Sequence, residues 1–108
     1  MWLVRDGEVL ATVEVPDGVA GRRRGLLGRT GIDGAMLLEP CRNVHTIGMQ
    51  FAIDVAFCDR DGVVLRTCTL APRRLSPLVV RAAMALEAEA GAFDRWRLRA
   101  GDRLEIRP

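Results

Sequence analysis

Apolar and polar side chains alternate near the start of the chain, and the alternation predicts a β-strand. From Glu8 to Val15, valine or alanine occupies every second position, which is the spacing of one face of a strand. The Asp6-Gly7 dipeptide before it is typical of a tight turn. We therefore expect Trp2 to Arg5 to pair back onto this strand as the first arm of a hairpin.

The clearest strand runs from Gln50 to Cys58, and both of its faces carry mainly apolar side chains. One face comprises Phe51, Ile53, Val55 and Phe57, and the other comprises Ala52, Asp54, Ala56 and Cys58. The segment from Asp59 to Gly62 predicts a hairpin turn, since glycine tolerates a positive φ. Val63 to Leu70 is then the partner strand.

Helical signals are confined to short segments. Arg22 to Leu27 favours a short helix, although nearby glycines weaken it. Val79 to Ala90 is rich in helix-forming residues, yet its apolar positions also fit the alternation of a strand. Ala92 to Trp96 is typical of one helical turn that places Phe93 and Trp96 on the same face. Two more short strands are predicted, Ala35–Glu39 and Arg103–Ile106.

Four segments of the chain carry recognisable motifs. They are Arg-Arg-Arg-Gly-Leu-Leu-Gly-Arg at 22–29, Gly-Ala-Met-Leu-Leu at 34–38, Phe-Ala-Ile-Asp-Val-Ala-Phe at 51–57 with Asp-Gly-Val-Val at 61–64, and Ala-Leu-Glu-Ala-Glu-Ala-Gly at 85–91 with Ala-Gly-Asp-Arg-Leu at 100–104. Together, and in this order, they resemble the prokaryotic domain of unknown function family 192. The resemblance implies a compact, mainly antiparallel β fold with short helices. It also implies that the residues after Val79 enter a strand, because tertiary context can override local propensity. The family brings no assigned activity.

The chain departs from the family's usual pattern in two places. Where most members read Phe-Trp-Met-Lys-Asn-Thr, this chain has Val-His-Thr-Ile-Gly-Met at 44–49. Ala52 stands where the family usually has proline. The loop from Cys41 to Met49 is therefore a variant, and a role of the common loop does not transfer to its residues.

Composition is typical of a globular protein. The 108 residues, 49% hydrophobic and 28% charged, predict a single domain over 1–108. No apolar run approaches the roughly 20 residues that span a bilayer, and charges near the amino end leave no room for a secretory signal. Three cysteines cannot all pair in one chain, which favours a reducing compartment. We expect a cytoplasmic protein with no membrane partner.

The basic residues do not indicate nucleic-acid binding. All 16 are arginine, but the net charge is only +2 and aromatic residues make up 5%. Proteins that bind nucleic acid usually present a basic stripe, often with stacking aromatics. The arginines here are scattered along the chain.

Asp54 is the leading candidate site residue, because its strand predicts burial on both faces. A buried carboxylate must be paired, hydrogen-bonded or protonated. Arg24 and Arg29 are candidate partners through bidentate guanidinium contacts, and Glu87 is a further candidate member of the group. The group is either an ion-pair staple that ties the Arg22–Arg29 segment to the sheet, which we favour, or a ligand site with a tuned carboxylate.

The loop from Cys41 to Met49 supports an alternative, an enzyme. Cys41 would be the nucleophile, His45 its base, and Asn43 or Asp54 the orienting group. No signature of a known cysteine-enzyme class surrounds Cys41. A zinc site from Cys41, His45, Cys58 and Cys68 lacks the regular spacing of such sites, and there is no phosphate loop or hydrolase elbow. No metal and no cofactor is predicted.

The sequence therefore predicts a mainly β domain with a minor α+β character, an antiparallel sandwich or barrel-like sheet with one or two short helices. Its first predicted function is a non-catalytic binding or accessory module. A small molecule or protein partner would lie in a cleft between the Arg22–Arg29 segment, the Cys41–Met49 loop and the Asp54 strand. An enzyme using Cys41, His45 and Asp54 is the alternative. A third option is protein interaction through an exposed sheet edge.

Overall fold

The computed structural model describes residues 1–108, which form seven strands and two short helices. In chain order they are β1 (Trp2–Arg5), β2 (Glu8–Glu14), α1 (Gly18–Arg24), β3 (Ala35–Leu38), β4 (Ile53–Cys58), β5 (Val64–Leu70), β6 (Met84–Glu89), α2 (Ala92–Trp96) and β7 (Leu104–Arg107). The strands make one sheet in the order β5-β4-β6-β3-β2-β1-β7. Every neighbouring pair is antiparallel except β2 and β3, which are parallel. The mainly β prediction is confirmed.

The two ends of the sheet approach each other without closing into a barrel. An isolated bridge joins Val63 to Arg103, and the Leu104 amide donates to the Gly62 carbonyl at 2.8 Å. The edge strands β5 and β7 do not pair along their lengths. Neither α1 nor α2 has the length and apolar composition of a membrane-spanning helix.

The first hairpin forms as predicted, but the face of its second strand changes part-way. Asp6 and Gly7 both have positive φ, 51° and 79°, as a two-residue turn between twisted strands requires. In the pairing of β1 with β2, Leu10 has no partner residue on β1, which is characteristic of a β-bulge. Val9 is consequently 57% exposed while Val13 is buried. The prediction of one apolar face from Val9 to Val15 is wrong, because the bulge reverses which side faces inward.

The sheet separates two hydrophobic cores. The first core includes alternate residues of the central strands, such as Ala56 on β4 and Leu86 on β6, together with Phe93 of α2. The second core takes the other face of β4, including Val55, and packs against Leu26 beyond α1. Successive side chains of a strand point to opposite faces, so β4 is buried on both sides, as predicted.

Tertiary pairing decides the ambiguous segment after Val79. Residues Met84–Glu89 form β6, which pairs with β3 on one side and β4 on the other. Two rows of backbone hydrogen bonds outweigh the modest helical propensity of this segment. The predicted helix over Arg22 to Leu27 instead begins at Gly18 and ends at Arg24, because Gly25 adopts a φ of 46°. The short α2 lies where the sequence predicted it.

Candidate functional site

A cleft of about 350 Å³ lies over the second-core face of the sheet. Its walls are the end of α1 with the residues that follow, and the loop from Cys41 to Met49. Six hydrophobic residues line it, namely Leu26, Leu27, Leu38, Cys41, Val44 and Met49. This volume falls within the range of small-molecule pockets, about 300–1,000 Å³.

The loop wall of the cleft is held in place by hydrogen bonds to the segment that precedes β6. The buried Thr46 hydroxyl donates to the Ala71 carbonyl at 2.6 Å and accepts from the Arg74 amide at 2.9 Å. Val44 and Ser76 exchange two bonds of 2.8 Å, from the Val44 amide to the Ser76 hydroxyl and from the Ser76 amide to the Val44 carbonyl. The loop is therefore a fixed wall whose backbone groups are satisfied away from the cleft.

Glu87 is the one carboxyl group that lines the cleft. It belongs to the central strand β6, where Met36 and Val55 are its neighbours across the ladder. The residue is 3% exposed, and its side chain takes part in none of the hydrogen bonds or ion pairs of the structure. Burial raises its pKa from 4.5 to about 7, because the charged form loses its hydration. Glu87 is thus a buried carboxyl group without a protein partner.

Three consecutive arginines line the opening of the same cleft, Arg22, Arg23 and Arg24. The ion pairs of the structure are Arg5–Asp102, Arg29–Glu14 and Arg107–Glu105. None of the three cleft arginines therefore has an acidic partner. We refer to Arg22–Arg24 as the arginine rim.

Cys41 and His45 both line the cleft, as the enzyme hypothesis requires, but the thiol is not activated. The Cys41 Sγ donates to the Asn43 carbonyl at 3.2 Å, so its hydrogen is engaged. Burial, with a further contribution from Glu87, raises the pKa of Cys41. A thiol with a raised pKa is a poor nucleophile at neutral pH. His45 is exposed and pairs through its backbone with Leu75.

Asp54 lies on the other face of the sheet from the cleft. It stands opposite Ala88 in the β4–β6 ladder, whereas Glu87 stands opposite Val55. Residues directly opposite one another share a face and successive residues alternate. The structure therefore separates Asp54 from Glu87, Cys41 and His45. The face of β4 that is directed towards the cleft is the one that carries Val55, not Asp54.

The partners of Asp54 are a hydroxyl and two backbone amides. Its Oδ1 accepts from the Thr69 hydroxyl at 2.7 Å, and its Oδ2 accepts from the amides of Gly91 and Phe93 at 3.0 and 3.1 Å. Asp54 is 4% exposed, so the prediction of a buried, satisfied carboxylate agrees with the structure. The predicted ion pair does not form.

Side-chain alternation explains why the predicted arginines are not the partners of Asp54. The Arg22–Arg29 segment packs on the second-core side through Leu26, while Asp54 faces the first core. Arg24 lies on the arginine rim. Arg29 makes a bidentate pair with Glu14 at 3.0 and 3.1 Å, and this pair raises the pKa of Arg29.

Sequence reasoning named Glu87 only as a companion of Asp54 and did not name Arg22 or Arg23 as site residues. The available signal was the alternation along β6, which places Glu87 on the opposite face of the strand from Leu86 and Ala88. The four candidate zinc ligands do not converge, since Cys58 is buried in the first core while Cys41 and His45 line the cleft. No group of three or more potential metal ligands occurs in the structure.

Comparisons with known proteins place this fold among solved structures. A protein of unknown function from Novosphingobium aromaticivorans has 20% identity and a TM-score of 0.77, with 87% of this chain and 74% of that chain covered. A Sinorhizobium meliloti protein described as "a putative transcription regulator" has 27% identity and a TM-score of 0.78, with 96% and 89% covered. No curated protein matches the chain. The family model DUF192, Uncharacterized ACR, matches residues 2–106, and the chain belongs to this family.

Proposed function

We propose that this protein is a non-catalytic module that binds a small organic anion with an apolar body. The observation that carries the proposal is the apolar cleft bordered by three arginines without acidic partners. An apolar ligand body would displace water from the leucine, valine and methionine lining. Its acidic group would meet guanidinium groups that are free to form bidentate contacts.

The state of Cys41 supports a binding function over the enzyme alternative. A cysteine enzyme needs a thiolate or a thiol next to an activating base. The Cys41 thiol instead donates to a carbonyl and has a raised pKa. Asp54, the proposed orienting group, faces the opposite core.

The free thiols support the proposed cytoplasmic location. All three cysteines are unpaired, and a reducing compartment would keep them so. Burial raises the pKa of Cys58 to about 12, which favours a packing role for that thiol.

The test is octanoate binding, measured by protein NMR shifts or calorimetry. Replacing the arginine rim by glutamine (R22Q/R23Q/R24Q) should weaken octanoate binding roughly tenfold, about 1.4 kcal/mol over three contacts that remain open to solvent screening. The matched control is R60Q/R66Q/R81Q, which removes the same charge from exposed arginines away from the cleft. The control should retain wild-type affinity.

Two outcomes would contradict the proposal. Equal weakening by both triple variants would show only a general attraction of the protein's charge for anions. Failure of octanoate to shift any signal of the cleft residues at millimolar concentration would remove the proposed site.

A further inference from the structure

We propose that the ligand of this cleft is a zwitterion, with an amine held by Glu87 inside the cleft and an acidic group held by Arg22–Arg24 at its rim. This inference rests on the proposed function and adds the inner polar contact. It assigns opposite charges of the ligand to two parts of the cleft. The ligand's apolar body would span the distance between them.

The first argument is the missing partner of Glu87. Glu87 is 3% exposed, so its carboxyl group keeps little contact with water, and an ionised carboxylate in that position is stabilised by a counter-charge or donors. The protein supplies neither, although it supplies three donors to Asp54 on the other face. An ammonium group supplies both a charge and up to three N–H donors.

The surroundings of Glu87 leave space for a ligand group rather than for a protein donor. A Cβ built on Gly25 would lie 4.0 Å from Glu87 Oε1, so the end of α1 approaches the carboxyl group with backbone and without a side chain. The neighbours across the ladder, Met36 and Val55, cannot donate. Glu87 is also one of the residues that line the cleft, so a ligand bound there would lie next to it.

The other charged or titratable groups around the cleft indicate which charge the ligand carries at its other end. Arg22, Arg23 and Arg24 come from α1, and Cys41 and His45 come from the loop. Neither neighbouring strand adds a charged residue opposite Glu87. A simple amine would meet three guanidinium groups at the opening. A ligand with an acidic group at its other end complements both ends of the cleft.

The experiment compares three eight-carbon probes by calorimetry: octanoate, octylamine and 8-aminooctanoate. At about pH 8, where Glu87 is mostly ionised, 8-aminooctanoate should bind at least about tenfold more tightly than either other probe. The isosteric variant Glu87→Gln should abolish this advantage, so that it binds 8-aminooctanoate no more tightly than octanoate. At about pH 6 the advantage should fall roughly tenfold, as Glu87 takes up a proton.

A second variant separates the contribution of Glu87 from that of His45, which also lines the cleft. His45→Gln should keep the pH dependence of 8-aminooctanoate binding, because the carboxyl group that changes charge is still present. Loss of that dependence in His45→Gln would overturn the assignment to Glu87.

The failures of the two proposals are distinguishable. Octanoate binding with no gain for 8-aminooctanoate would overturn the zwitterion and leave the anion-binding module intact. Absence of binding by all three probes would overturn both.

Discussion

Two carboxyl groups on adjacent strands are nearly equally buried but have opposite surroundings. Asp54 accepts three hydrogen bonds, whereas Glu87 accepts none. A satisfied carboxylate stabilises the fold, while an unpartnered one destabilises it whenever it is ionised. At the scale of the residue, this contrast separates a structural group from the group proposed to bind a ligand.

The contribution of Glu87 to the free energy of unfolding should depend on pH. Its pKa is raised from 4.5 to about 7 by burial, which corresponds to about 3 kcal/mol between the ionised and protonated forms. Below pH 4.5 the group is protonated in both the folded and unfolded chains, and its contribution is fully present. As pH rises from 4.5 towards 7, Glu87 ionises in the unfolded chain but stays largely protonated in the folded chain. Ionisation then favours the unfolded chain, so the free energy of unfolding falls.

We therefore expect Glu87→Gln to gain stability over the wild type as pH rises from about 5 to about 8, approaching 3 kcal/mol. The measurement is urea unfolding of both proteins across this pH range. Glu89→Gln, on an exposed residue at the end of the same strand, is the control and should follow the wild type. A pH-independent difference between Glu87→Gln and the wild type would show that Glu87 is solvated or paired.

At the scale of the element, Asp54 completes a helix that lacks its own cap. The N-cap of α2 is Gly91, which has no side chain to accept a bond. Asp54 on β4 accepts the amides of Gly91 and Phe93 instead, and it also binds Thr69 of β5. One carboxylate thus joins two strands to the first turn of α2, in the role that a capping side chain usually has.

Asp54→Asn should lower the free energy of unfolding by about 2–3 kcal/mol and the melting temperature by roughly 10 °C. Asparagine keeps one acceptor oxygen, but its NH₂ group cannot accept a hydrogen bond. At least one of the donors that now bind Asp54 would therefore lose its acceptor. The measurement is thermal unfolding by circular dichroism, with Asp94→Asn on exposed α2 surface as the control, expected to change little. An unchanged melting temperature in Asp54→Asn would remove the structural role of this carboxylate.

At the scale of the whole molecule, a glycine lets the two ends of the sheet meet. Gly62 is in the β4–β5 turn with a φ of 84°, and its carbonyl accepts the Leu104 amide from β7. A Cβ at Gly62 would overlap the Leu104 carbonyl oxygen. The backbones must therefore touch for the edge strands to approach.

Gly62→Ala should destabilise the protein by about 1–3 kcal/mol more than Gly101→Ala, as measured by urea unfolding. Both glycines have positive φ, so both variants carry the backbone strain of an L-residue there. Only Gly62 adds a clash, because a Cβ at Gly101 would have no atom within 4 Å. Equal destabilisation by the two variants would mean that the contact between the sheet ends contributes nothing.

Local chemistry in the sequence was sufficient to predict much of the fold. Asp6-Gly7 predicts its turn because few dipeptides tolerate two positive φ angles. The apolar residues on both faces of Gln50–Cys58 predict a central strand, and Phe93 with Trp96 predicts the turn of α2. These predictions held because each depends on side chains within a few residues of one another. The bulge at Leu10 and the strand identity of β6 depend on partner strands, and local pattern could not decide them.

By itself, the sequence determined the strands other than β6, the turns, the burial of Asp54 and the polar loop that forms one wall of the cleft. Only the tertiary structure decided which side chains share that cleft. Alternation fixes which residues of one strand lie together, but the pairing of β6 between β3 and β4 fixes which side faces α1 and the Cys41–Met49 loop. That pairing joins residues far apart in the chain, and it places Glu87 rather than Asp54 under the arginine rim.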